Sequence, residues 1–193
     1  MYQKYIKRKE RIIIDAIDLL DEQGIQGLTT KELARREGIS EPAIYKQYES
    51  KKDIILTIID RFSAFDDVIS NTILEQKMKF KDAVLFLIES ITTYYQNYPQ
   101  ISTVLFSFDV FKYDSDTNSK MQKNVDRYYE FVIMLIKSGI ESGELDPGTD
   151  PEGMADIFLG ILGSAIWRWK VTDCGYDLKE NVMRSMKWVI KNI

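Results

Sequence analysis

Two helix starts and one helix stop fall within the short stretch from Thr29 to Ser50, and this spacing constrains the chain more than any other feature. Thr29 stands three residues before Glu32, the spacing at which a hydroxyl and a carboxylate cap one helix reciprocally. Gly38 ends the segment that follows, because it tolerates the positive φ of a helix terminus. Ser40 then opens a second segment with Pro42 in its first turn, where a missing N–H costs nothing. Ser50 and Asp53 repeat the capping spacing and start a third. Two helices this short cannot each bury a face alone, so they must pack against each other across Glu37-Gly38-Ile39-Ser40. Ala34 supplies the small residue at their crossing. Leu33, Ile39 and Ile44 are the expected shared core.

The remainder reads as helix after helix. Ile13, Ala16, Ile17 and Leu20 make one apolar face of a first helix expected from about Lys4 to Gln23, with Gly24 ending it. Further helices are predicted over 51–74, 80–98, 101–111, 117–142, 151–172 and 178–192. Pro99 separates two of them, Asp150-Pro151 starts another, and Asp177 with Glu180 caps the last. No segment alternates with the period of a strand. The expected fold is all-α: a three-helix head carrying a helix-turn-helix over 1–50, joined to a larger helical body over 51–193 that binds a ligand and dimerises.

Charge and composition narrow the chemistry. The net charge is −4, yet residues 1–60 carry equal numbers of acids and bases, with Lys4, Lys7, Arg8, Lys9 and Arg11 crowded at the start. That distribution suits a protein meeting a polyanion with one end only. There is no histidine and a single cysteine, Cys174, read as an inert thiol. No metal cluster, phosphate loop or nucleophile motif is present, so no catalysis and no cofactor are expected. The paired acids Asp66 and Asp67 read as a solvated helix face. The most apolar run, Ile157 to Trp167, is shorter than the ~20 residues of a membrane span. A cytoplasmic protein without a membrane partner is expected.

The second short helix is the expected reading element in a major groove. Its outward positions are Glu41, Ala43, Tyr45, Lys46, Gln47 and Tyr48. Lys46 reaches guanine edges or phosphate, and Gln47 suits an adenine edge. Tyrosine hydroxyls donate to phosphates, and Thr30 and Lys51 stand at or near helix N-termini, which favour phosphate. These residues carry a family resemblance. Residues 8–60 resemble the DNA-binding region of the TetR family of regulators, through Leu28-Thr29-Thr30-Lys31-Glu32-Leu33-Ala34, Gly38-Ile39-Ser40 and Ala43-Ile44-Tyr45-Lys46-Gln47-Tyr48-Glu49-Ser50-Lys51. The resemblance implies that Thr30, Lys31, Tyr45, Tyr48 and Lys51 touch the DNA backbone, and that Glu41, Pro42, Ala43, Lys46 and Gln47 face bases. Glu41 departs in character, being an acid before a polyanion. It either accepts from a cytosine amino group or serves its own helix N-terminus.

The resemblance also implies a homodimer on a near-palindromic double-stranded operator, and a body with a small-molecule pocket. Candidate pocket residues are Phe62, Phe65, Tyr94, Tyr95, Phe106, Tyr128, Phe131, Met134 and Trp167, which suit a lipophilic or aromatic effector. Helix 151–172 is apolar nearly all round and carries Gly160, Gly163 and Ser164. With Val182, Met186 and Val189 of the last helix it forms the expected dimer face. Two modes of control remain open at this level: release from DNA by a small effector, or an adaptor governed by a protein partner.

Overall fold

The computed structural model describes residues 6–107, 111–112 and 114–192. Lys4, and residues 108–110 of the helix expected over 101–111, lie outside them. Nine α-helices can be followed among the described residues: α1 Arg8–Gly27, α2 Thr30–Glu37, α3 Glu41–Tyr45, α4 Lys51–Glu75, α5 Phe80–Asn97, α6 Thr103–Phe106, α7 Ser115–Glu141, α8 Pro151–Val171 and α9 Leu178–Lys191. A 3-10 turn, Pro99–Ser102, leads into α6. The all-α expectation holds.

The local signals act through identifiable bonds. The Thr29 hydroxyl accepts from the Glu32 amide, and Gly38 takes φ 66° at the end of α2. The Ser50 hydroxyl accepts from the Asp53 amide at 3.2 Å, while the Asp53 carboxylate accepts from the Glu49 amide. Asp150 and Asp177 cap α8 and α9 through Glu152 and Glu180. Ser40 behaves differently: it has the extended conformation of a cap, but its side chain makes no capping bond. At Gly24 the backbone leaves the helix (φ 65°) and resumes as a turn to Gly27. The glycine therefore breaks α1 where expected, without ending it.

The chain forms two compact units, one of residues 1–64 and 100–122, the other of 65–99 and 123–193. The expected boundary at residue 50 is not where the packing divides. α4 is one continuous helix, and its first half is bound to the segment around α6 and the start of α7. Lys52 pairs with Asp114 at 2.9 Å and Asp116 at 2.5 Å, and Asp60 pairs with Lys120 at 2.6 Å.

In the first unit α1 packs on α2 and α2 on α3. Ile13, Ala16, Ile17, Leu20, Leu33, Ala34 and Ile44 are buried there, and Ile39 is half-buried. In the second unit α9 packs on α5 and α8, and buries Leu178, Val182, Met186 and Ile190. Each buried aliphatic side chain contributes roughly 1.5–3 kcal/mol. The long helices are therefore held by tertiary contact rather than by propensity.

Candidate nucleic-acid interface

α3 is five residues long and is held at both ends. At its start the Glu41 carboxylate accepts from the Thr30 hydroxyl, which joins the first turns of α2 and α3. The Tyr45 hydroxyl lies 3.4 Å from the same Thr30 oxygen. Glu41 thus has a partner within the head, which neither sequence reading of that residue foresaw. A carboxylate with a donor of its own presents less bare negative charge to a phosphate backbone.

The face that remains open is small and coherent. Tyr45 is 51% exposed; Lys31, Pro42 and Lys46 are exposed, and Thr30, Ala43 and Gln47 are half-buried beside them. Two lysines, a phenol and an amide on one short helix and its neighbour are what phosphate and base edges require.

Two expected backbone contacts sit elsewhere. Tyr48 is buried, 2% exposed, and its hydroxyl donates to the Lys9 carbonyl at 2.9 Å. The Lys9 ammonium lies 4.9 Å above its ring. Burial, followed by repulsion from Asp53, pushes the phenol up to about 12. The reason is geometric. The α-helix stops at Tyr45, and the Tyr48 amide turns back to the Ile44 carbonyl, carrying the ring inward. Tyr48 therefore corrects the sequence expectation: it ties α1 to the turn after α3. Lys51 is half-buried, and its ammonium donates to the Ile25 carbonyl at 2.8 Å. Burial lowers its pKa. It braces the turn that Gly24 creates.

The remaining charges in the head are largely paired among themselves. Arg11 binds Glu37 at 2.9 Å, Arg35 binds Glu32 at 2.6 Å, and Arg36 binds Glu22 and Glu32. Arg11, part of the basic start, is thus a structural residue. Asp15 is pushed up to about 6, first by burial and then by the neighbouring Glu37 and Asp18.

The body residues also separate. Phe65 stacks on Tyr94, with centroids 4.0 Å apart, and both line a cleft of about 450 Å³ with Phe86, Ser90 and Thr93. Met134, 40% exposed, lines a second cleft of about 530 Å³ with Ile133 and Lys137. Tyr128 and Phe131 line a smaller chamber of about 170 Å³. Phe62 and Tyr95 are core, Phe106 is exposed, and Trp167 lies 58% exposed on α8. The expected aromatic set thus does not converge on one cavity. Asp66 also departs from its reading as a solvated residue, because it lines the small chamber.

Of the expected dimer residues, Val182 and Met186 are fully buried within the chain. They belong to the inner face of α9, while Trp188 of the same helix is 68% exposed. On α8, Gly160 and Ser164 are exposed and Gly163 and, on α9, Val189 are half-buried. Ile157, Trp167 and Val171 extend the same exposed stripe of α8, at 53%, 58% and 64% exposure. The helical spacing from 157 through 160, 164 and 167 to 171 was legible in the sequence, but α8 is apolar on most sides and its pattern does not mark the outer one.

A helical head of this construction, with a short helix presenting polar side chains outward, defines a helix-turn-helix transcriptional regulator. Residues 12–58 match the model of bacterial regulatory proteins of the tetR family, and 58–192 match that of the YsiA-like protein C-terminal region. The chain belongs to the TetR family of transcriptional regulators. The fatty acid metabolism regulator protein of Bacillus subtilis is 20% identical over 169 residues, 87% of this chain and 86% of its own. The structure of the transcriptional regulator FadR from Bacillus subtilis in complex with stearoyl-CoA superposes with a TM-score of 0.80 at 18% identity, covering 95% of this chain and 98% of that one. That of the TetR-family regulator PfmR from Thermus thermophilus gives 0.80 at 23%, covering 94% and 97%. No helix among the described residues is long and apolar enough to cross a membrane.

Proposed function

We propose that this chain is a homodimeric repressor that grips a near-palindromic operator with two heads and is released by a lipophilic small molecule bound in the body. The observation that carries the dimer is the outer stripe of α8. Ile157, Trp167 and Val171 are exposed around Gly160 and Ser164. A Cβ placed on Gly160 or Gly163 would meet nothing within 4 Å in this chain. The chain's own packing therefore does not require small residues there, whereas close approach of a second α8 would. Val189 and Trp188 of α9 extend the apolar surface.

Lys31, Tyr45, Lys46 and Gln47 are assigned to the operator, with Thr30 and Glu41 positioning Tyr45 from behind. Pro42 and Ala43 give a surface close enough for the groove floor. Two such faces related by a two-fold axis read two half-sites one helical turn apart. A small effector suits the body because clefts of about 450 and 530 Å³ fall in the range that small ligands occupy. The names of the fatty acid metabolism regulator and of the stearoyl-CoA complex support a lipophilic one. Such a ligand acts by population shift, so it must bind the DNA-competent state less well than the released one.

The test is operator binding with and without ligand. Fluorescence anisotropy of a labelled operator duplex, titrated with full-length protein, should fall on adding stearoyl-CoA or another long-chain lipid. Sedimentation of the same samples should give a dimer. A monomer on DNA, or binding indifferent to every lipid, would overturn the corresponding half of the reading.

A further inference from the structure

The small chamber in the body is the one place where buried polar groups stand without partners. It has about 170 Å³ and is lined by Asp66, Asp67, Ser70, Asn124, Tyr128 and Phe131. The Tyr128 hydroxyl and the Asn124 amide nitrogen are buried and make no hydrogen bond. A buried polar group left unbonded costs on the order of 1–3 kcal/mol. Two of them facing one cavity mark a place prepared for something else. The volume lies below that of a whole small-molecule pocket, so the chamber fits one end of a ligand.

The charges define which end. Arg127 pairs with Asp67 at 3.1 Å, both side chains about half exposed. That pairing takes up the arginine and leaves Asp66 with no full counter-charge. Burial, then repulsion from Asp67, drives the Asp66 carboxyl up to about 7, against the pull of Arg127. Tyr95 of α5 and Tyr128 of α7 feel the same carboxylate, which raises both phenols further. The acid is thus poised: neutral when the chamber is empty, and ionised readily if a cation enters.

We infer that the chamber is a subsite for a protonated amine carried on the lipophilic effector, with Asp66 as its counter-ion and Asn124 and Tyr128 as its hydrogen-bond acceptors. An ammonium brings three N–H donors. Asp66 accepts one, the Tyr128 hydroxyl oxygen accepts the second, and the Asn124 amide oxygen accepts the third after the amide turns over. The ring faces of Tyr128 and Phe131 add cation–π attraction. A carboxylate or phosphate would meet the charge of Asp66 and Asp67, and is excluded. This inference deepens the effector reading above and rests on it only for the ligand's apolar part.

The experiment compares ligands with one tail and three heads. Isothermal titration of the full-length protein with n-octylamine, n-octanol and octanoate at pH 7.5 should show the amine binding at least tenfold more tightly than the others. Asp66 must be ionised to hold the amine, so its affinity should fall at least fivefold between pH 7.5 and 6.0. Asp66→Asn should remove the amine's advantage, and Tyr128→Phe should weaken it severalfold, with folding of both checked by thermal melting. If Asp66→Asn does not fold, Tyr128→Phe and the pH dependence still decide. Equal binding of octanol or octanoate overturns the inference while sparing the lipophilic effector. So does an amine advantage that survives in Asp66→Asn. Amine binding through Asp66 without release of operator DNA sustains the subsite and removes the effector reading instead.

Discussion

Replacing Tyr48 with phenylalanine separates two roles that the sequence alone left merged. If the hydroxyl contacts a DNA phosphate, its loss weakens operator binding and leaves the free protein unchanged. In the structure that hydroxyl donates to the Lys9 carbonyl at 2.9 Å, and the ring is 2% exposed. A neutral hydrogen bond of this kind contributes about 0.5–1.5 kcal/mol net. For a chain of this size each kcal/mol moves Tm by about 2–4 °C, so Tyr48→Phe should lower Tm by about 1–6 °C. The ring still fills its place in the core, so the fold survives. Operator affinity, measured where both proteins are folded, should be within twofold of the parent. The slope of log K against log salt should also be unchanged, because no phosphate contact is removed. An unchanged Tm with a tenfold loss of affinity would refute the placement of Tyr48 as an internal tie.

Other expectations follow from the same geometry. Lys51→Met breaks the bond to the Ile25 carbonyl. A charged hydrogen bond contributes about 1.5–3 kcal/mol, so Tm should fall by several degrees in differential scanning calorimetry. Lys46→Ala, by contrast, should leave Tm unchanged and reduce the magnitude of the salt slope by about 1 if Lys46 neutralises a phosphate. Gly160→Leu removes no contact within the chain, since a Cβ there meets open space. It should leave monomer helicity intact and raise the dimer dissociation constant by tenfold or more in sedimentation equilibrium. Asp15 has its pKa raised to about 6 by burial and by Glu37. The folded state therefore holds the proton more tightly than the unfolded chain, and this contribution to stability is present at low pH and lost as pH rises through 6. Asp15→Asn should accordingly be more stable than the parent at pH 7.5, on the order of 1 kcal/mol for a partly exposed acid. The gain should vanish near pH 4 in urea titrations.

The head was more legible than the body because its signals are local. Thr29, Gly38, Ser50 and Asp53 act on backbone within a few residues of themselves, and each does so through the bond or dihedral angle its type favours. What failed in the head depends on tertiary contact. Tyr48 and Lys51 look like surface residues because tyrosine and lysine commonly are. Their partners, Lys9 and Ile25, lie 39 and 26 residues away. In the body, helical periodicity located every long helix but not its orientation. Val182 and Met186 share a face with Leu178 and Ile190, which packing turns inward, and Trp188 is left outside. Asp66 beside Asp67 has the pattern of a solvated pair. Only the packed structure shows that one of the two lines a chamber with Asn124 and Tyr128.

The central claim is that α3 and its flanks read DNA as a two-fold pair. Selection of binding sites from a random duplex library by the full-length protein tests it most directly. The account predicts enrichment of one inverted repeat whose half-sites lie about one helical turn apart, and loss of enrichment at defined positions with Gln47→Ala or Lys46→Ala. Enrichment of a single unsymmetrical half-site, or of no sequence at all, would contradict it.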